Sequence, residues 1–137
     1  MKATDAPSQP TARLTMGLWI IRVAVAFVFI SSGLEKFSIG PAGEWIRIFA
    51  KIGLGEWFRY FTGALEIAGG LLLLVPWAAK AGAALLVVCM AGAISCHLFI
   101  LGDPFSSIIN VALIVAILAA ARQPKPESEE MTTLELR

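Results

Sequence analysis

The chain has 137 residues, of which 58% are hydrophobic and only 15% are charged, and its mean hydropathy is +0.78. Soluble domains carry about 25% charged residues, so this composition excludes an ordinary soluble globule and indicates one membrane-embedded domain. The 11 basic and 10 acidic residues nearly cancel, which argues against nucleic-acid binding, and two cysteines are too few for the disulfide framework of a small secreted protein.

The N-terminal region divides into a polar arm and an apolar run. Residues 1–13 contain two prolines and no apolar period, and we expect them to form a disordered arm. The run 14–37 is predicted to cross the bilayer, because about 20 apolar residues span a hydrocarbon core roughly 30 Å thick. A cleaved signal peptide is the competing interpretation, but its apolar core is only about 7–15 residues long and ends at a small-residue cleavage site, which this run lacks.

The segment 41–57 alternates apolar and charged residues at helical spacing, as in Trp45, Phe49 and Ile52, and this pattern predicts a short helix lying in the membrane interface. Three further crossings are predicted at 58–76, 79–101 and 105–121, separated by a turn at Pro76 and a turn at 102–104. The tail 122–137 holds two prolines and four glutamates, and we expect it to be disordered. The predicted fold is therefore all-α, a bundle of four transmembrane helices over residues 14–121 with a short interfacial helix between helices 1 and 2.

The basic residues also predict an orientation. The arm, the turn before the third crossing and the tail together hold Lys2, Arg13, Lys80, Arg122, Lys125 and Arg137. The opposite side holds Lys36, Arg47, Lys51 and Arg59. Since cytoplasmic loops carry an excess of Lys and Arg, we expect both termini to lie in the cytoplasm.

Two charged residues fall inside the predicted crossings, Arg22 in helix 1 and Glu66 in helix 2. A charge at the bilayer centre costs about 2.5–3.5 kcal/mol on insertion scales, so each requires a partner or water. At a rise of about 1.5 Å per residue they lie roughly 10 and 15 Å from the same membrane face, and we predict an inner ion pair between them, with Cys89 at a similar depth. The alternative is a buried pair that only sets the helix register.

A second set of polar residues, Lys36, His97 and Asn110, lies near the predicted outer surface and is a candidate outer pocket. His97 is the one histidine of the chain and would serve as a proton acceptor or as a hydrogen-bond donor to a quinone. The alternative is an interfacial histidine bonded to a backbone carbonyl. We expect no metal site, because one histidine without clustered cysteines or carboxylates does not complete a coordination shell.

The cysteines, Cys89 and Cys96, are further candidates. They are seven residues apart on one predicted helix, about 10 Å along its axis, which excludes a disulfide between them. They form no CxxC motif, and buried cysteines usually act as small apolar packing residues.

Several motifs occur in a fixed order along the predicted crossings. They are Arg22, then Ser32-Gly33-Leu34-Glu35-Lys36, then Gly63-Ala64-Leu65-Glu66-Ile67-Ala68-Gly69-Gly70 before a leucine run, then Met90, Ala91 and Ala93 leading to His97. Over residues 14–121 this combination resembles the DoxX family of small four-helix membrane proteins. The resemblance implies a multi-pass protein of the bacterial cytoplasmic (inner) membrane. It also implies a role in redox reactions at the membrane, since some relatives are subunits of thiosulfate:quinone oxidoreductase and others belong to thiol and oxidative-stress complexes.

The functional hypothesis is a membrane subunit of a quinone-linked oxidoreductase or of a thiol and oxidative-stress complex. No motif for flavin, haem or an iron-sulfur cluster is present, so we expect no bound redox cofactor, a diffusible quinone as ligand and a soluble oxidoreductase as partner beside the lipid bilayer. The chain would be an enzyme at most as such a subunit, and its oligomeric state stays open. The alternatives are a non-enzymatic docking partner or scaffold and a carrier of small solutes or protons.

The chain departs from the DoxX pattern in the turn at Pro76. Many DoxX relatives have an arginine after the second crossing, where this chain has Trp77 and then Lys80.

Overall fold

The computed structural model describes residues 9–38 and 43–122, with side chains from residue 15 onward. This part of the chain is all-helical, which confirms the all-α part of the prediction. Its elements are α1 (Gln9–Phe37), α2 (Glu44–Ile52), α3 (Glu56–Leu74), α4 (Ala79–Cys96), a π-helix (His97–Leu101) and α5 (Pro104–Ala120). The predicted disorder of residues 1–8 and 123–137 lies outside the described residues.

The helix ends differ by a few residues from the predicted ends, for local reasons. Helix α1 begins at Gln9, so the prediction that the disordered arm extends to residue 13 is wrong for residues 9–13. Pro10 is tolerated because it falls in the first turn, where no intrahelical N–H bond is lost. The predicted third crossing contains two helical types, since α4 widens into the π-helix before Gly102 ends it with a φ of 65°. Helix α5 begins at Pro104. The Asp103 side chain accepts hydrogen bonds from the free backbone N–H groups of Phe105 and Ser106 in its first turn.

The four long helices pack as a ring in the order α1, α3, α4, α5, with α5 returning to α1. Their shared core consists largely of apolar side chains, including Val25, Phe29, Leu73, Leu86 and Ile117. Glycines bring the helix pairs close together: a Cβ on Gly33 would lie 2.7 Å from the Gly63 carbonyl oxygen, and one on Gly82 would lie 2.8 Å from the Gly69 carbonyl oxygen. These contacts set the register of α1 against α3 and of α3 against α4.

Large apolar side chains face outward along the bundle, as at Phe27, Val88 and Phe99, while several charged side chains face inward. This distribution is the reverse of a soluble domain and fits a surface in contact with lipid. Two stretches of the described chain, Thr15–Phe37 and Ala79–Leu101, are long and apolar enough to cross a membrane. Helix α5 is apolar but shorter, so the four crossings stay a prediction.

Candidate functional site

The centre of the candidate site is a buried ion pair between Lys36, in the last turn of α1, and Glu66, in the middle of α3. The Lys36 Nζ lies 2.7 Å from the Glu66 Oε2, and the two side chains are only 4% and 7% exposed. Ser32, one turn earlier on α1, accepts a second hydrogen bond from Nζ through its hydroxyl at 2.9 Å. The pair therefore combines a charge-assisted hydrogen bond with nearly complete burial.

Helix α2 covers this buried ion pair at one end of the bundle. Its Trp45 ring lies over Lys36, with the ring centroid 3.7 Å from Nζ. The indole N–H of Trp45 donates to the Glu35 carboxylate at 3.3 Å, and Phe49 of the same helix is buried against Phe58, with ring centroids 5.7 Å apart. The ammonium of Lys36 is thus held between a carboxylate and an aromatic face.

Arg59, on α3, is a further buried cation of this region that the sequence interpretation treated only as a loop charge. It donates to the backbone carbonyl of Lys36 and to the Glu56 carboxylate, and its guanidinium lies 4.4 Å from the Tyr60 ring. It therefore satisfies an end carbonyl of α1 next to the ion pair. A signal was present in the sequence, because Arg59 precedes Glu66 by seven residues, which places both on one helical face.

The predicted inner pair between Arg22 and Glu66 is wrong. Arg22 is buried, but it donates through Nε to the Ala120 carbonyl at 3.1 Å and through Nη2 to the Arg122 carbonyl at 3.2 Å. It also lies over the Trp19 ring, 5.1 Å from its centroid. Arg22 therefore caps the C-terminal end of α5, where free carbonyl groups and the helix dipole favour a cation.

The physical reason for this error is the register of α1 against α3. Gly33 lies against Gly63 and Ile67, and a Cβ on Gly70 would contact the Ala26 carbonyl, so Glu66 is level with the last turns of α1. In the same register Arg22 is level with the end of α3, about 12 Å from Glu66 along the axis. The prediction estimated the depth of each residue from the end of its own helix. This estimate was wrong because the first turns of α1 extend past the end of α3.

Cys89 and Asn110 lie near the level of the buried ion pair. Cys89, on α4, is level with Glu66, because a Cβ on Gly69 of α3 would contact Leu86 of α4, three residues before Cys89. The contact between Arg22 and Ala120 sets α5 against α1, and in that register Asn110 is level with Ser32, which bonds to Lys36. Asn110 is half-buried on the helical face that also carries the buried Ser107 and Ile117.

Each long helix thus contributes one polar residue at this level. We call this set the polar layer, and its members are Ser32, Glu66, Cys89 and Asn110, with the Lys36 ammonium between Ser32 and Glu66. Among the described residues, no three His, Cys, Asp or Glu side chains cluster in a way that could hold a metal ion. The polar layer thus holds hydrogen-bond donors and acceptors inside an otherwise apolar bundle.

His97, the third residue of the predicted outer pocket, begins the π-helix, which packs against α2 and α5. Its Nδ1 lies 3.8 Å from the Asp103 Oδ2, and this buried nitrogen makes no hydrogen bond to any described residue. Hydrogen bonds from the Ser106 side chain and backbone lower the pKa of Asp103 below its ordinary value. Cys96, which directly precedes His97, is a free cysteine like Cys89.

Comparison with known proteins places this geometry in context. A family model described as the DoxX-like family matches residues 20–121, a range that contains the buried ion pair, Arg22 and the polar layer. A Bacillus subtilis (strain 168) protein named putative oxidoreductase CatD is 33% identical over 79 residues, which are 58% of this chain and 58% of that protein. The chain thus matches somewhat more than half the length of this relative. No solved structure matches the chain.

Proposed function

This chain belongs to the DoxX-like family, and we propose that it is the membrane subunit of a quinone-linked oxidoreductase whose quinone contacts the buried ion pair of Lys36 and Glu66. It is a membrane protein of DoxX type, with a few buried charges in a largely apolar core and large apolar side chains on its exterior. The name of the B. subtilis relative supports redox work over the 58% of the chain that it matches. A quinone fits the location, because a lipid-soluble carrier reaches a site between membrane helices without crossing water.

The observation that carries the proposal is the buried ion pair itself. Charges inside a membrane protein are expensive and commonly mark proton relays or ligand sites. Lys36 supplies an N–H donor for a quinone carbonyl, and Glu66 supplies a carboxylate that can accept or return a proton. The described helices place the Lys36 Nζ and the Glu66 Oε2 2.7 Å apart, with Cys89 close by.

The reaction balances only with a second protein. Reduction of a quinone to its quinol takes up two electrons and two protons. The electrons come from a soluble oxidoreductase partner, and the protons pass through the polar layer by way of Lys36 and Glu66. This chain's own contribution is to bind the quinone headgroup, to orient its carbonyl toward the Lys36 ammonium, and to hold a proton at Nζ.

The proposed topology has four crossings in the bacterial cytoplasmic membrane, with both termini in the cytoplasm. It places the turn at Gly102 and helix α2 on the outer side. Reporter fusions after Arg122 should then be active only in the cytoplasm, and fusions in the turn at Gly102 only outside. The opposite labelling would place the covered end of the buried ion pair on the cytoplasmic side and would contradict the orientation.

Quinone binding provides the direct test. The chain is placed in lipid nanodiscs and titrated calorimetrically with decylubiquinone, with empty nanodiscs subtracted. We expect the wild type to bind and Lys36→Met to bind at least tenfold more weakly, because it loses the N–H donor to the quinone carbonyl. Lys80→Met is the matched control, since Lys80 is exposed and lies in the first turn of α4.

A second arm of this test measures activity. Membranes from the source organism lacking the gene, restored with wild type or Glu66→Gln at equal abundance, are assayed for quinol formation. Loss of activity in Glu66→Gln together with retained membrane insertion supports the proposal. Absence of decylubiquinone binding by the wild type, or equal binding by Lys36→Met, would overturn it and favour a non-enzymatic docking partner.

A further inference from the structure

The buried ion pair is closed to any ligand in this structure. Its two side chains are 4% and 7% exposed. Helices α1 and α3 cannot easily separate beside it, because Gly33 and Gly63 bring the two backbones into direct contact. A ligand that reaches the Lys36 ammonium must therefore displace something else, and the group that lies over Nζ is the Trp45 ring at 3.7 Å.

Helix α2, which carries Trp45, is attached in a way that permits displacement. It has nine residues, and one of them, Phe49, is buried. Two glycines with positive φ, Gly53 at 78° and Gly55 at 84°, form its connection to α3. Its N-cap residue is Gly43, which has no side chain to cap the first backbone N–H groups of the helix. A short helix held mainly by aromatic contacts and joined through glycines opens at lower cost than the long helices below it.

We propose that the Trp45 ring is an internal occupant of the ligand position over Lys36, and that a planar ring bearing a hydrogen-bond acceptor displaces it when α2 swings away. This inference rests on the proposed function and adds the ligand class and a regulation of the same site. The Trp45 ring already packs against the Lys36 ammonium, so the side chains around Nζ leave room for a flat ring at this position. The acceptor of the incoming ring takes the hydrogen that Nζ otherwise donates, at a long 3.5 Å, to the Ser32 backbone carbonyl.

An internal occupant weakens the apparent affinity for any competing ligand. The measured dissociation constant equals the intrinsic constant divided by the fraction of molecules in which the position is open. A partly desolvated contact between a cation and a tryptophan ring stabilises the closed state enough to lower that fraction about tenfold. Removal of the ring should thus strengthen binding, which is the opposite of the effect expected for a residue that merely holds the ligand.

The test compares decylubiquinone affinities of full-length variants in lipid nanodiscs by calorimetry. We expect Trp45→Ala to bind roughly tenfold more tightly than the wild type and Trp45→Phe to lie between them, because phenylalanine keeps a weaker aromatic face. Trp77→Ala is the control, since Trp77 is exposed in the turn before α4. Equal or weaker binding by Trp45→Ala would overturn the inference, whereas loss of binding in every protein, Trp45→Ala included, would overturn the proposed function.

Hydrogen exchange of the wild type keeps the inference testable if Trp45→Ala does not fold. Decylubiquinone should speed amide exchange in α2, residues 44–52, while exchange in α3 beside Glu66 stays the same or slows. Slower exchange in α2 on addition of quinone would mean that Trp45 closes over the ligand, and it would overturn the inference while leaving the proposed function intact.

Discussion

The two halves of α1 each bury a cation under a tryptophan ring, yet the two cations are satisfied in different ways. Arg22 lies 5.1 Å from the Trp19 ring centroid, and Lys36 lies 3.7 Å from the centroid of Trp45. Arg22 donates to backbone carbonyl oxygens at the end of α5, whereas Lys36 donates to the Glu66 carboxylate. One cation has neutral, permanent acceptors, and the other has an acceptor that can take a proton.

This difference separates a structural contact from a site capable of chemistry. A guanidinium keeps its charge under all ordinary conditions, and a backbone carbonyl never titrates, so the Arg22 contact has one state. The buried ion pair of Lys36 and Glu66 instead joins an amine and a carboxyl group, two kinds of side chain that can exchange a proton with a ligand. We therefore expect substitutions at the Arg22 end to change stability alone and substitutions at the Lys36 end to change both stability and ligand binding.

The largest expected effect is that of Glu66→Gln. It leaves the Lys36 ammonium buried at 4% exposure without a countercharge, and the free energy of unfolding should fall by about 3–5 kcal/mol. Adding Lys36→Met should recover much of this loss, because the double variant no longer buries an unpaired charge. Reversible unfolding by sodium dodecyl sulfate in mixed micelles, followed by circular dichroism, measures all three proteins.

A matched double variant tests the assignment of partners. Arg22→Leu combined with Glu66→Gln should show the sum of the two single losses, because the two sites are about 12 Å apart and share no contact. Recovery of stability by Arg22→Leu, and none by Lys36→Met, would reverse the comparison and restore the pairing of Arg22 with Glu66.

A smaller loss is expected for Arg22→Gln. The carbonyls of Ala120 and Arg122 lose their charge-assisted donors, which should lower the free energy of unfolding by about 1–3 kcal/mol. Amide exchange should become faster in the last turn of α5, and Arg22→Lys should recover part of the loss. Arg47→Gln is the control, because Arg47 is exposed on α2. Unchanged exchange in α5 would show that Arg22 does not cap this helix, and weakened decylubiquinone binding would show that its role is not purely structural.

The sequence identified most of the important residues but not their partners. Arg22 and Glu66 were recognisable because charges in apolar runs need burial or pairing, whereas Lys36 was placed near the outer surface. Their pairing depends on the register of antiparallel helices, which is set where Gly33 meets Gly63. The glycines are visible in the sequence, but which glycine faces which is decided by the packing of whole helices.

The position of Trp45 illustrates the same limit at the candidate site. Helical spacing placed it on the apolar face of a predicted short helix, and α2 is a helix of nine residues at this place. Its contact with Lys36 depends on the path of the chain between α1 and α2, for which the sequence carries no periodic signal. Arg59 was missed for a related reason, since the predicted crossing began at residue 58 and left this arginine at its boundary, whereas α3 begins at Glu56 and buries it.

The smallest expected effect concerns Asp103, which caps the N-terminal end of α5 as Arg22 caps its C-terminal end. Hydrogen bonds from Ser106 and Phe105 lower the pKa of the Asp103 carboxyl below its ordinary value of about 3.9. A group with a lowered pKa in the folded state stabilises the fold fully above the unfolded pKa, and this contribution disappears as pH falls through the folded pKa. Asp103→Asn retains an acceptor for the cap but does not titrate.

The melting temperature of the wild type should therefore exceed that of Asp103→Asn by a constant amount above about pH 5, and the difference should shrink below about pH 4. Both proteins are compared in a His97→Gln background, which removes the titratable side chain 3.8 Å from Asp103. The difference should be small, because the carboxylate is exposed to solvent and its charge is screened. If the difference in melting temperature did not change between pH 3 and pH 6, the charge of Asp103 would not stabilise α5. Of the two caps of this helix, only the buried one at Arg22 would then depend on charge.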